Sequence, residues 1–325
     1  MNPSQQQRLE HLALYYGGPT VAPSTLPPWE DPGRDPPDPP QFIRTRIIIL
    51  SDTYGPDRDL RTLVQTLSTQ EADVAIHCGG LTGSSDIDEY NSAIDLLATI
   101  NAPIKLVIPG KTDFSLYAED DLVEDTQIPW MDKSRELFTE ARRKHQIILH
   151  EKAGTHEVRL ANGAYLRYFV APYTPEPYLD ARFVMEEETD IAVTYVPPYA
   201  ILDQNAEGRH IGSPELLGAI ATARPSLHCF GQAHESWGER MGTWVDDEEA
   251  EGELLVEDFG GVDFRGQGPQ GGEAYQTLFI NASTMDTYSQ LCRPCSVVDL
   301  HLPGRPPEGW HGKHPCFDGE MYVKT

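Results

Sequence analysis

The stretch IIILSDTYG, from Ile47 to Gly55, decides the fold. Four consecutive apolar residues, three of them β-branched, are too few for a helix and suit a strand buried on both faces. The run breaks into Ser-Asp-Thr and then a glycine. A buried strand that ends this way delivers a carboxylate, here Asp52, to a site at its C-terminal edge.

Working outward, the pattern becomes strand, helix, strand, helix. TRIIILSDT is followed by DRDLRTLVQTLSTQ, where Leu60, Leu63, Val64 and Leu67 share one helical face. ADVAIHCGG is the second strand, residues 89–100 form a second amphipathic helix, and IKLVIPG is the third strand. Crossovers of this kind imply a parallel sheet covered by helices. Residues 113–143 read as helix and loop. HQIILH, THEVRLANG and AYLRYFVAP then read as short strands, with Asn162-Gly163 marking a hairpin turn. ETDIAVTYVPPY is a further strand. SPELLGAIATARP is a helix with Ser213 as N-cap, Pro214 in its first turn and Pro225 as its stop. SLHCFGQAHESWG runs from strand into loop, and residues 254–300 are largely strand, interrupted by the glycine-rich QGPQGG. No internal repeat is visible.

At the N-terminal side, PPWEDPGRDPPDPP holds too much proline for helix or interior strand. Residues 1–44 are therefore expected to form an extended arm. Residues 45–325 are expected to form a single domain with an acidic, solvated loop near 245–275.

The 325 residues carry 51 acidic and 25 basic side chains, a net charge of −26. That excess repels phosphate backbones and anionic lipid, so neither nucleic acid nor membrane is an expected partner. No apolar run is as long as a membrane span. The first residues lack a basic segment followed by an apolar core, and the expectation is a cytoplasmic protein. Five cysteines spread over the chain do not form a disulfide framework, and the Cys292–Cys295 pair has no second pair to complete a metal site. There is no GxSxG elbow, no GxGxxG and no P-loop, so no cofactor is expected. A homodimer has no sequence support.

Five loops follow strands: SDTYG (51–55), HCGGLTG (77–83), PGKTD (109–113), VTYVPP (193–198) and GQAHE (231–235). Their order and content resemble the calcineurin-like metallophosphoesterases, in particular the subgroup of metallophosphoesterase-domain proteins of animals and their fungal relatives. RHIGSPELL (209–217), FINAS (279–283) and SVVDL (296–300) resemble flanking segments of the same subgroup. The resemblance implies a β-sandwich of two mixed sheets flanked by helices, in four αββα layers. It also implies two divalent ions that activate a hydroxide against phosphorus.

On this chain most of the ligand positions implied by the resemblance are changed. The first aspartate is kept as Asp52, but its histidine partner is Tyr54 and the bridging carboxylate is Gly80. The Gly-Asn-His-Asp loop reads Gly-Lys-Thr-Asp, with Lys111, Thr112 and Asp113. Tyr195 and Gln232 replace two further histidines, and His234 is retained. Two ions need a bridging anion and several hard or borderline ligands, which Asp52 and His234 alone do not supply. No metal is expected, although one weakly held ion between Asp52 and His234, with weak metal-dependent phosphodiesterase activity, stays open as an alternative.

Two other readings of the replaced site stand side by side. Asp52, Tyr54, Lys111, Thr112, Tyr195 and His234 form a metal-independent acid–base set for isomerisation, cyclisation or elimination of a small organic, carbonyl-rich substrate. In that reading Lys111 favours a phenolate, Asp52 orients His234, and Asp113, Tyr173, His210 and Gln232 contact substrate. Alternatively the pocket has decayed, Lys111 is a counter-ion for Asp52, the tyrosines fill volume, and the chain is a binding or scaffold protein. His77 and Ser283 read as structural.

Overall fold

A computed structural model describes residues 42–54, 67, 69–117, 131–175, 183–245, 253–258, 275–286 and 293–304. The proline-rich arm up to residue 41 lies outside the described residues. So do most of the helix expected after Asp57, the acidic run 246–252, the QGPQGG loop and Cys292.

The described strands form two mixed sheets. In the first, β1 (Phe42–Leu50), β2 (Val74–His77), β3 (Ile104–Val107) and β4 (Ile147–Leu149) are parallel neighbours. The strand β12 (Ser296–Pro303) closes the other edge against β1, antiparallel. The second sheet runs β10 (Glu253–Asp258), β9 (Gly238–Val245), β11 (Gln276–Asn281), β8 (Leu227–Phe230), β7 (Ile191–Thr194), β6 (Tyr165–Ala171), β5 (Gly154–Arg159). Its centre, from β11 through β8 and β7 to β6, is parallel.

The two-residue period of a strand explains the layers. Ile47 and Ile49 point into the space between the sheets, where they meet Leu106, Tyr168, Val170, Val193, Cys229 and Ile280. Ile48 and Leu50 point the other way, onto Tyr90, Ala93 and Leu97 of α1 (Ile87–Ala98) and Phe138 of α2 (Met131–His145). Full burial of each such side chain contributes about 1.5–3 kcal/mol. On the far face of the second sheet, Phe169, Ala192, Phe230 and Phe279 pack under Leu216 and Ile220 of α3 (Pro214–Ala223). The result is the four-layer αββα sandwich of calcineurin-like phosphoesterases.

Local signals set the helix ends. Ser213 Oγ accepts the Leu216 amide at 3.1 Å at the start of α3, with Pro214 in its first turn. Asp86 caps α1 through the Asp88 amide at 2.8 Å. Gly163, with φ +92°, makes the β5–β6 hairpin turn. The strand β9 was not expected: GERMGTWV carries two glycines and no clean alternation. Tertiary pairing to β11 holds it, and Trp244 is buried there with its indole N–H donating to Thr277 Oγ1 at 2.9 Å. Among the described cysteines, Cys78, Cys229 and Cys295 are buried free thiols.

Candidate functional site

The parallel strands of both sheets end at one edge, and their loops are laced together by backbone bonds. The Asp52 amide donates to Gly79 O at 2.8 Å and the Tyr54 amide to Gly80 O at 3.1 Å. The Gly231 amide reaches Tyr195 O at 3.3 Å, and the Thr284 amide reaches Ser51 O at 3.0 Å. Asp52, Tyr54 and Gln232 all take left-handed backbone conformations, with φ of 58°, 49° and 68°. Left-handed conformations at residues other than glycine are costly and cluster where a site over-determines the backbone.

Asp52 is the centre of this edge and is fully buried. Its Oδ1 accepts the Tyr54 hydroxyl at 3.2 Å, and its Oδ2 accepts the Gln232 amide at 3.1 Å. His234 Nε2 lies 3.7 Å from Oδ1 and 3.3 Å from the Tyr54 oxygen, with the two rings edge to face. Burial pulls the His234 imidazole down, but the nearby Asp52 carboxylate outweighs it, and its pKa is raised. Tyr195 is also buried, beside Tyr54. Both phenols are pushed up, first by burial and then by the Asp52 charge. They are proton donors at neutral pH, not bases.

The structure therefore brings Asp52, Tyr54, Tyr195, Gln232 and His234 together. It does not bring in Lys111, which is exposed and whose ammonium has no hydrogen-bond or ion-pair partner among the described residues. Lys111 is thus neither the counter-ion of Asp52 nor a source of phenolate. Thr112 turns its hydroxyl to Thr82 O at 2.5 Å, tying two loops together away from Asp52. Asp113 is buried and takes the amides of Gly80, Leu81, Thr82 and Gly110 at 2.7–3.0 Å, plus the Thr82 hydroxyl at 2.8 Å. Its bonds are all internal, so it knots the loops in place of contacting a ligand. Tyr173 packs edge to face on Tyr195, with ring centroids 5.9 Å apart. His210 is paired with Asp203, a residue that the sequence did not single out. His77 accepts the Gly79 amide at Nδ1 (3.2 Å) and meets Thr53 Oγ1 at Nε2 (3.1 Å), as a structural histidine should.

The site residues do not fit the two metal ions that the fold family implies. A Cβ at Gly80 would lie 2.6 Å from Asp52 Oδ1 and 2.9 Å from Asp52 Cα, so the carboxylate that should bridge the ions has no room. A Cβ at Gly110 would lie 2.6 Å from the Tyr195 ring and 2.2 Å from the Gly80 nitrogen. The space between the loops is filled with carbon and backbone. Both Asp52 oxygens already accept hydrogen bonds, and the phenols hold their protons. Among the described residues no group of three or more His, Cys, Asp or Glu side chains converges to hold an ion. None of the described helices is long and apolar enough to cross a membrane.

No protein-family model matches the chain. It is 28% identical over 214 residues to the "Probable rhamnogalacturonate lyase C" of Emericella nidulans, which covers 61% of this chain and 18% of that protein. It is 23% identical over 204 residues to a UPF0046 protein of Caenorhabditis elegans, covering 59% of this chain and 64% of the relative. The chain thus spans less than two thirds of the length of either. Among solved structures it is similar to GAP50, described as the anchor in the inner membrane complex of Plasmodium, with TM-score 0.42, 11% identity and coverage of 81% and 85%. It is also similar to the purple acid phosphatase PPD1 of yellow lupin seeds, with TM-score 0.38, 10% identity and coverage of 74% and 44%. By its own sheet order and layers, the chain has the calcineurin-like metallophosphoesterase fold, without a metal-binding cluster among its described residues.

Proposed function

We propose that the chain carries out metal-independent proton transfer on a small organic ligand, with His234 as the acid–base group. One observation carries this reading: a partly exposed imidazole, with 23% of its side chain accessible, is held against a fully buried carboxylate that raises its basicity. Asp52 and Tyr54 engage Nε2, which leaves Nδ1 as the nitrogen for exchange with ligand. An imidazole whose basicity is raised and which is oriented by a fixed carboxylate is suited to enolisation, isomerisation or elimination. Tyr54 keeps its own proton and orients the ring.

A second reading is favoured by the burial itself. Asp52 is 0% and Tyr195 2% exposed, and the Asp52 oxygens are both engaged. The same cluster would then be a lock that replaces the ions, on a protein that works by binding.

Wash-in of solvent deuterium separates the two, because each of these proton-transfer reactions exchanges or moves a C–H proton. Carbonyl-bearing small molecules, and rhamnogalacturonate as suggested by the name of the first relative, are incubated with the chain in chelator and followed by proton NMR. The acid–base reading expects exchange that falls by about 10²–10⁴-fold in His234→Gln while the fold persists. Equal exchange in wild type, His234→Gln and buffer would leave the lock as the account.

A further inference from the structure

At the same edge, the loop between β7 and α3 builds a second imidazole–carboxylate pair. Asp203 is 1% exposed, and its Oδ1 accepts His210 Nδ1–H at 2.6 Å. Its Oδ2 accepts the amides of Ala200 at 3.0 Å and Gly212 at 3.1 Å. The carboxylate is thus fixed from three directions, and it fixes the tautomer of the neutral His210 ring, in which Nδ1 carries the proton and Nε2 the lone pair. His210 has 36% of its side chain exposed, so that lone pair is not sealed in.

The backbone is strained to build this pair. Ala200 and Leu202 both sit in the left-handed region, at φ 63° and 50°. Each such residue is unfavourable, and it persists only where its surroundings hold it. The Gln204–His210 bridge then closes a small hairpin over the carboxylate. Beside the imidazole stands Tyr199, 42% exposed, with ring centroids 5.3 Å apart. The loop is bolted to the one that carries His234: Ser236 Oγ accepts the Gln204 amide and donates to Gln204 O, both at 2.9 Å. Asn281 Nδ2 donates to both Leu202 O and Ala233 O, at 3.1 and 2.7 Å.

The geometry points to Asp203–His210 as a second proton-transfer site, in which His210 Nε2 acts as general base on a planar organic ligand resting against Tyr199. The ligand class follows from the parts: an exposed phenol ring offers a flat apolar face, and the free Nε2 asks for an acidic O–H, C–H or attacking water. Asp203 is a positioning residue, since it touches only the imidazole and backbone. This site stands apart from the role of His234, and either can fail without the other.

Hydrolysis of p-nitrophenyl acetate in chelator at neutral pH reads the base directly. His210 Nε2 takes a proton from water as the oxygen–carbonyl bond forms. The bond to p-nitrophenolate breaks, and the imidazolium then returns its proton to solvent. Wild type is expected to exceed an equimolar amount of 4-methylimidazole by about 10²-fold per chain. His210→Gln should remove that excess, and His145→Gln, at an exposed position that ends α2, should keep it. Asp203→Asn should lower kcat with little change in KM, and Tyr199→Ala should raise KM. A purely structural clamp moves neither parameter. If Asp203→Asn does not fold, the comparison of wild type with His210→Gln, a partly exposed position, still decides. An absent excess, or one retained in His210→Gln, overturns the proposal. An excess lost only in His234→Gln overturns it while leaving the Asp52 site standing.

Discussion

A Cβ placed on Gly80 would stand 2.6 Å from Asp52 Oδ1, closer than real Cβ contacts come. Gly80 also has φ +70°, a conformation that any side chain resists. A carboxylate at position 80 and the present packing of Asp52 therefore exclude each other. Gly80→Ala is expected to destabilise the fold by about 1–3 kcal/mol, read from urea midpoints. Gly80→Asp should destabilise at least as much, and elemental analysis after dialysis should still find no pair of manganese, iron or zinc ions. Two retained ions per chain in that variant would mean that the loops reopen, against this account.

Tyr54 donates to the buried Asp52 from two residues away. Removing the hydroxyl leaves Oδ1, among the described residues, with His234 at 3.7 Å. Tyr54→Phe should cost about 1–3 kcal/mol of stability, the range for a buried acceptor that loses its donor. In a double-mutant cycle with Asp52→Asn, the two losses should fall short of additive, because they report one shared bond. Strict additivity would show that the 3.2 Å contact is energetically empty.

Much of this was legible in the sequence, for identifiable reasons. The β1 run, the α3 cap at Ser213 and the Asn162-Gly163 turn are local, and local chemistry decides them. The convergence of Asp52, Tyr54, Tyr195 and His234 followed from loop order on a parallel sheet. Lys111 went the other way: a lysine near a carboxylate in a motif suggests an ion pair, but its side chain left for water while the Gly110 amide and Asp113 held the loop. Asp203 was missed because it pairs across a hairpin, seven residues before His210. The turn residues of DQNAEGRH were the available signal. The strand β9 was invisible because its register comes from β11.

His77 provides a pH test. Burial pushes its pKa down from 6.5 to about 4, and both ring nitrogens have fixed roles. Protonating Nδ1 would set a second donor against the Gly79 amide. The unfolded chain binds this proton below 6.5 and the folded chain only near 4, so stability is lost as pH falls through that window, by at most about 3 kcal/mol. Asp113, raised to about 6, and Asp190, raised to about 7, both by burial, act with the opposite sign. The whole-protein curve therefore mixes them. The difference between wild type and His77→Asn isolates the histidine, and it should shrink on acidification from pH 6.5 toward 4. A difference independent of pH would mean that the ring is not held neutral.

His234 should behave in the opposite way. Burial opposes its charge, but the Asp52 carboxylate 3.7 Å away prevails, so its folded pKa lies above 6.5. The stabilisation from that charge is fully present below the unfolded value and is lost as pH rises through the folded one. Titration of the histidine Cε1–H signals by NMR should show one imidazole, absent in His234→Gln, that deprotonates above 6.5. In Asp52→Asn the favourable carboxylate charge is lost while the burial remains, so the same signal should fall to 6.5 or below. Tyr54→Phe should move it less, because the hydroxyl is neutral and sits 3.3 Å from Nε2. If Asp52→Asn leaves the titration where it was, the carboxylate does not govern the imidazole. The proton-transfer role assigned to His234 then loses its basis, whatever the ligand.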